Sequence, residues 1–276
     1  MYKRQPFHCH KRGGHGSLNL SQAIRSSCNV YFYTIGQRVG VDRLHDYSSQ
    51  FGLGKKTGLK LASEAMGLVP SREWKKSFFK SKEDQKWYPG ETPSVSIGQG
   101  ALSVTPIQMA KFYSAIATSG DVVTPVLVKK ILDSSGDVTL EDSSGSSVYA
   151  VDGIDPWVFS SIRQSLFEVV NGKLGTGKLA QLPEAYPFKV AGKTGTAQLR
   201  KINKELQKDR DLHIAWFAGF APFEDPEVAV VVLVEGALSG GKEAAPLASQ
   251  VLETYFNRNE PDKEEVKEEK EDGDDR

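Results

Sequence analysis

The stretch Val190-Ala191-Gly192-Lys193-Thr194-Gly195-Thr196-Ala197-Gln198 constrains the fold more than any other part of the chain. An extended run from Phe188 to Ala191, with Val190 supplying β propensity, leads into a lysine and a hydroxyl flanked by glycines. Gly192 and Gly195 remove side chains where another backbone or a ligand could approach closely. A strand bearing Lys-Thr-Gly presents an ammonium, a hydroxyl and backbone N–H groups, which suit a carboxylate and a developing oxyanion. Two further extended runs, His213 to Phe220 and Glu227 to Glu235, flank the turn Pro222-Phe223-Glu224-Asp225-Pro226 and read as an antiparallel hairpin.

The remaining elements read mainly as helices. Asn19 is placed to cap a helix, with Gln22 closing the capping box and Leu20, Ala23, Ile24 and Ser27 on one face. Small polar residues, Arg25 to Asn29, interrupt it. Val30 to Val39 resumes with largely apolar, buried character. Val41 to Phe51 is amphipathic through Leu44, Tyr47 and Phe51, and Gly52 stands at its C-terminal cap. Gly54 to Gly90 reads as loop, and Ser94 to Gly100 as a turn. Thr105, Pro106 and Gln108 mark a strong helix start. Val122 to Leu132 reads as extended, Asp133 to Ser147 as a surface loop or hairpin, and Pro156 to Val170 as a helix. Leu199 to Leu212 is a charged excursion. A last helix, Ala244 to Phe256, turns Leu247, Val251, Leu252 and Tyr255 inward.

Charge is balanced overall, 35 basic against 35 acidic residues, but unevenly placed. From Arg258 to the end there are ten acids and five bases, which read as a charged, disordered tail behind a domain over 6–257. The mildly basic body does not call for nucleic acid as a partner. The most apolar run, Val228 to Val234, is strand length, far short of the ~20 residues of a membrane helix. Met1 to Lys11 is polar and basic, unlike a signal peptide. Residues 1–5 back-translate to a transposon end used as a sequencing adaptor, so we read them as foreign and the gene as cut there.

The motifs resemble, in order, the transpeptidase domain of class B penicillin-binding proteins, most closely the elongation type, penicillin-binding protein 2. The pieces are Gly14-His15-Gly16, Ser27-Cys28-Asn29-Val30-Tyr31-Phe32-Tyr33, Phe51-Gly52-Leu53-Gly54, Pro70-Ser71-Arg72-Glu73-Trp74, Ile97-Gly98-Gln99-Gly100 leading to Thr105-Pro106, Lys193-Thr194-Gly195-Thr196-Ala197-Gln198, and Trp216 to Pro222. They span nearly everything from Phe7 to Phe256. By residue type alone, Ser27 and Asn29 read as a helix break or cap and Lys193 as a solvated strand-end charge. The ordered set reverses both.

The resemblance implies a serine β-lactamase/transpeptidase-like α+β fold, an antiparallel sheet flanked by helices, with two family strands upstream of this chain. It implies cross-linking of peptidoglycan stem peptides through a serine ester, with β-lactams as mimics of the D-Ala-D-Ala end. Ser27 and Asn29 match the S-x-N motif: the serine relays a proton to the leaving amine and the asparagine holds a substrate amide. Lys193 supplies positive charge beside Ser27. The Thr194 and Thr196 hydroxyls, around Gly195, bind the carboxylate, and the Thr196 N–H is half of the oxyanion hole. Implied partners are elongation-complex membrane proteins and a glycosyltransferase, at the periplasmic face of the bacterial inner membrane.

The S-x-x-K nucleophile motif should precede Ser27, and nothing there fits it. Ser77 to Lys80 and Ser239 to Lys242 fit by chance, out of order. The catalytic serine and its lysine base are therefore expected to be missing, and the chain to be an inactive piece. A D,D-carboxypeptidase or β-lactamase would share Lys-Thr-Gly, but the long class B-like middle and the Ile-Gly-Gln-Gly segment weigh against it. A noncatalytic scaffold or ligand-binding fragment is the other alternative.

Cys9, His15 and Cys28 are thiolate and imidazole donors, and zinc wants four in a tetrahedron. The resemblance implies a structural zinc site here, with Cys9 where some elongation-type relatives carry an acid, and His8 or His10 available as a fourth ligand. A buried Cys28 with exposed histidines, or a Cys9–Cys28 disulfide in an oxidising compartment, are the alternatives. Gly172 to Lys178 mimics a P-loop, but Leu179 stands where Ser or Thr should bind magnesium, and the segment follows a helix. It reads instead as a turn holding Thr176 and Gly177 near the sheet.

Overall fold

The computed structural model describes residues 7–60, 63–141, 147–198 and 213–259. The readings on residues 1–5, on 199–212 and on the tail past 259 lie outside these.

Local capping chemistry sets the first helices. In α1 (Leu20–Arg25), Asn19 Oδ1 accepts from the Gln22 N–H at 2.9 Å and Gln22 Oε1 accepts from the Asn19 N–H at 3.1 Å. Then come α2 (Asn29–Val39) and α3 (Val41–Gln50), joined through Gly40 at φ +84°. The apolar run in α2 is only half-buried; Gly36 alone in it is fully buried. A Cβ there would stand 2.3 Å from Ser96 Cβ, so glycine lets α2 cross another helix in direct contact. Phe51 is buried, but Tyr47 turns outward, and its hydroxyl-bearing ring can lie against water.

Two short helices form where the sequence reads as loop and turn. In α4 (Arg72–Phe78), Ser71 Oγ accepts from the Trp74 N–H at 3.0 Å. In α5 (Glu91–Ser96), Pro93 lies in the first turn, where its missing N–H costs nothing. Periodicity is weak evidence over six or seven residues, which is why both escaped sequence reading. The strong start at Thr105 does open α6 (Pro106–Ala117), with both bonds of its capping box made.

The extended region after α6 is split between two partners. β1 (Asp121–Val123) pairs with β4 (Val148–Ala150), and β2 (Lys130–Leu132) with β3 (Val138–Glu141), all antiparallel. α7 (Pro156–Asn171) follows, then a 3₁₀ turn, Lys178–Ala180.

The main sheet has the order β5 (Ala191–Gln198), β6 (His213–Ala221), β7 (Val228–Glu235), antiparallel throughout. β5 begins where the apolar run ends, so the motif itself is the strand and Phe188 to Val190 lead into it. A π-helical turn, Gly240–Ala244, precedes α8 (Ala245–Asn259).

β6 is buried on both faces, as a central strand must be. Ala215 and Phe217 pack with Val190, Leu252 and Phe256 toward α8, while Ala218 and Phe220 pack with Tyr113, Ile116 and Leu166 toward α6 and α7. On α8 the inward face is Ala248, Leu252 and Phe256; Leu247 and Val251, expected inside, are 42% and 53% exposed. They border an open groove with Val232 and Tyr255. No helix among the described residues is long and apolar enough to cross a membrane.

Candidate active site

The register of β5 fixes where each group of the motif points. Lys193 pairs with Ala218 and Thr194 with Phe217. Side chains alternate along a strand, so lysine and threonine leave by opposite faces. Lys193 goes toward α1, where its Nζ donates to Ser27 Oγ at 2.9 Å and to the Thr194 carbonyl at 2.8 Å. Gly192 is required beneath it: a Cβ there would lie 2.5 Å from Phe217 Cζ and 2.8 Å from the Ala218 carbonyl.

Ser27 is delivered by the way α1 ends. The Cys28 N–H bonds the Ala23 carbonyl at 3.0 Å and the Ser27 N–H bonds the Ile24 carbonyl at 3.1 Å. This pair of bonds is the Schellman motif, whose turning residue adopts left-handed φ and is usually glycine. Here it is Ser27, at φ +52°. A side chain in that conformation costs about 1 kcal/mol, a cost retained where the hydroxyl is needed. α1 packs on α7, with Arg25 and Glu168 paired at 3.4 Å. α7 is tied to the start of β5 where Asn171 Nδ2 donates to the Val190 carbonyl at 2.8 Å. One helix thus sets the spacing between Ser27 and Lys193.

Desolvation pushes the Lys193 ammonium down to about 8. A lysine so placed carries charge at neutral pH yet can exchange a proton with a hydroxyl at modest cost.

The hydroxyls occupy the other face. Thr194 Oγ1 and Thr176 Oγ1 are 2.9 Å apart, so the turn at Thr176 does lie against the sheet. Thr196 Oγ1 accepts from the Gly240 N–H at 3.3 Å, which leaves its own proton free for an anion. Gly240 admits this approach: a Cβ on it would lie 2.4 Å from the Gly195 carbonyl. Gln99 Nε2 donates to the Thr196 carbonyl at 3.2 Å, joining the Ile-Gly-Gln-Gly segment to the strand. Sequence reasoning gave no role to Gln99 or Gly240. The glycines flanking Gln99, at φ +81° and +75°, were the available signal of a shaped turn. Asn29 opens α2; burial raises the pKa of Tyr33 one turn on, and the Asn29 side chain opposes that rise.

A family model for the penicillin binding protein transpeptidase domain matches residues 1–253. The chain belongs to that transpeptidase family. Among its relatives, the peptidoglycan D,D-transpeptidase MrdA of Haemophilus influenzae is 37% identical over 260 residues, 91% of this chain and 38% of that protein. Stage V sporulation protein D of Bacillus subtilis is 36% identical over 248 residues, 88% of this chain and 35% of that protein. The crystal structure of Pseudomonas aeruginosa PBP2 in complex with WCK 5153 superposes with a TM-score of 0.75 at 34% identity, covering 92% of this chain and 51% of that one. The Helicobacter pylori PBP2 complex with MreC gives 0.75 at 28% identity, covering 93% and 43%. The chain thus spans well under two thirds of these relatives. The transpeptidase fold and the likeness to the PBP2 type, both expected from the motif order, are borne out.

In neither of the two out-of-order S-x-x-K stretches does the serine hydroxyl hydrogen-bond the lysine ammonium. Ser77 Oγ donates to the Trp74 carbonyl at 2.9 Å and is exposed, as is Lys80. Between Ser239 and Lys242 the bond runs backbone to backbone, at 3.2 Å, and the Lys242 side chain is exposed.

Cys9, His15 and Cys28 do converge, with their ligand atoms all within 4.8 Å of one another. Gly14 and Gly16, at φ +69° and +70°, turn the chain on either side of His15. Cys9 Sγ is 3.4 Å from His15 Nδ1 and 3.6 Å from His10 Nδ1. Burial, then the charges of His10 and Lys11, lower the His15 pKa and favour the neutral ring that binds metals. Donors around zinc stand about 3.5–4 Å apart, so this set fits after a small closure.

Proposed function

We propose that this chain supplies the peptide-binding side of a peptidoglycan D,D-transpeptidase. The observation that carries this is the 2.9 Å contact between Lys193 and Ser27, two motifs 166 residues apart, with the ammonium already desolvated. In this reading a serine oxygen attacks the carbonyl of the penultimate D-Ala, an ester forms, and the terminal D-Ala leaves. The amine of a second stem peptide then attacks the ester and releases the serine. Ser27 passes its proton to the departing amine and is resupplied by Lys193. β5 is the edge strand of its sheet, so the Lys193 charge from one face and the Thr194 and Thr196 hydroxyls from the other converge past that edge to hold the substrate carboxylate. Asn29 aligns the substrate amide through its side-chain donor and acceptor. The Thr196 N–H steadies the oxyanion.

The attacking serine belongs to an S-x-x-K that the sequence does not place before Ser27, so this chain does not acylate by itself. Cys9, His15 and Cys28, with His10 adjacent, would hold a zinc ion, whose contribution when bound would be a structural cross-link. The family likeness also supports elongation-complex proteins and a glycosyltransferase as partners, at the periplasmic face of the inner membrane; the Helicobacter pylori relative was solved with MreC.

Fluorescent penicillin tests both halves. The chain is expected to bind it reversibly, with displacement by an acyl-D-Ala-D-Ala peptide, and to leave no band on a denaturing gel. A stable adduct on any serine would overturn the missing nucleophile; absence of reversible binding would overturn the cleft.

A further inference from the structure

Lys75 is the buried residue of α4, only 7% exposed. A buried ammonium is costly unless it is paired. Its partner is Glu91, the first residue of α5, whose two carboxylate oxygens accept from Nζ at 2.5 Å and 2.7 Å. The Trp87 and Tyr88 rings stand 5.5 Å and 5.3 Å from the same nitrogen and add cation–π attraction. Glu91 Oε2 also accepts from the Tyr88 N–H at 2.7 Å, and Trp87 Nε1 donates to Thr92 Oγ1 at 2.9 Å. One cation therefore gathers the chain from Trp87 to Thr92 around the start of α5.

The other end of α5 reaches the cleft. The helix has six residues and is roughly 9 Å long. It closes in a turn where the Gly98 N–H bonds the Val95 carbonyl at 3.0 Å and the Gln99 N–H bonds the Ser94 carbonyl at 2.9 Å. Gln99 is thus set by α5, and its Nε2 donates to the Thr196 carbonyl at 3.2 Å. β5 is the edge strand, and the N–H and C=O of one residue leave an antiparallel strand on the same side. The Thr196 N–H therefore faces the free edge, beside the carbonyl that Gln99 holds. Ser96, the last residue of α5, lies against Gly36 of α2, the helix that opens at Asn29.

We propose that Lys75 is a positioning residue of the cleft, acting through α5 on Gln99 and so on the Thr196 edge of β5. Lys75 holds no substrate. Its charge fixes the start of α5, and the short rigid helix carries that constraint to Gln99. Without the cation, Glu91 loses its partner and the start of α5 is released. Gln99 then loses its alignment with the Thr196 carbonyl, next to the N–H and hydroxyl assigned to the substrate. The strut stands on the hydrogen bonds alone; its bearing on peptide binding rests on the transpeptidase reading.

The test uses the full chain and Lys75→Met, which keeps the length of the buried stem and removes the charge. The first readout needs no peptide: the side-chain amide of Gln99 in ¹⁵N NMR. In K75M its two protons should shift to the positions of an exposed glutamine amide. K75R should return them, because a guanidinium can fork onto Glu91 and stack on the rings. Gln108→Leu, a destabilised control remote from α5, should leave them in place. An unmoved Gln99 amide in K75M, or the same shift in Q108L, would overturn the strut. A K75R spectrum like that of K75M would overturn the role of the charge. The second readout is calorimetry with an acyl-D-Ala-D-Ala peptide. K75M and Q99A should each weaken binding about tenfold, and the double variant should match Q99A within about twofold. A further tenfold loss in the double variant would overturn the route through Gln99. A wild-type chain that binds no peptide, with the Gln99 shift present in K75M, would overturn the transpeptidase reading and leave the strut standing.

Discussion

Lys193 Nζ and Ser27 Oγ meet at 2.9 Å across two elements that share no sequence neighbourhood, β5 and the turn after α1. The contact explains why a lysine is kept in a desolvated position: the hydroxyl and the Thr194 carbonyl replace part of its lost water. It also fixes the sign of a pH effect. The ammonium is pushed down to about 8 in the fold, against about 10.5 in the unfolded chain. Between those values the unfolded chain binds more protons, so stability from this group is lowest at neutral pH and rises with pH through that window. Urea unfolding at pH 7 and at pH 9.5 should show this gain in the wild type relative to K193M. Buried tyrosines, Tyr113 among them, titrate upward and act oppositely at the alkaline end, so the comparison with K193M is what isolates the lysine.

Ser27 trades stability for the hydroxyl. Its φ of +52° is where glycine is at ease. Ser27→Gly is expected to stabilise the chain by about 1 kcal/mol in urea unfolding while weakening peptide binding, whereas Ser27→Ala keeps the strain and loses the hydroxyl. A destabilised S27G would show that the turn is not strained by its side chain.

Gln108 is a structural hub away from the cleft. It is fully buried; its Nε2 donates to the carbonyls of Lys55 at 2.6 Å and Met66 at 2.8 Å, and its Oε1 accepts from the Thr105 N–H at 3.0 Å. Gln108→Leu removes the partner of three part-buried backbone groups and should cost about 2 kcal/mol, read by chemical denaturation. Penicillin binding by the molecules that remain folded should be unchanged.

Much of this was legible where chemistry is local. The caps at Asn19 and Thr105 and the helix at Pro156 follow from residues within one turn of each other. The Lys-Thr-Gly strand and its hairpin follow from β propensity and a proline-bounded turn. Ser27 was readable as a helix break and, through motif order, as a site residue; the structure joins the two, because the break is what aims the hydroxyl. What sequence could not supply was set by tertiary contacts. The short helices α4 and α5 carry too few residues for periodicity. On α8 the stripe through Leu247 and Val251 looked as apolar as that through Leu252 and Phe256, and only the position of the sheet decides which turns inward. Gln99 and Gly240 meet the strand across long loops, which no spacing rule encodes.

The most direct measurement is calorimetric titration of an acyl-D-Ala-D-Ala peptide into the chain as a function of pH. Lys193 should hold the peptide carboxylate while charged, so affinity should be steady to pH 7 and fall as pH passes about 8, with K193M weak and flat throughout. Affinity that stays constant to pH 10, or equal binding by K193M, would contradict the assignment of Lys193 and Ser27 to a peptide cleft.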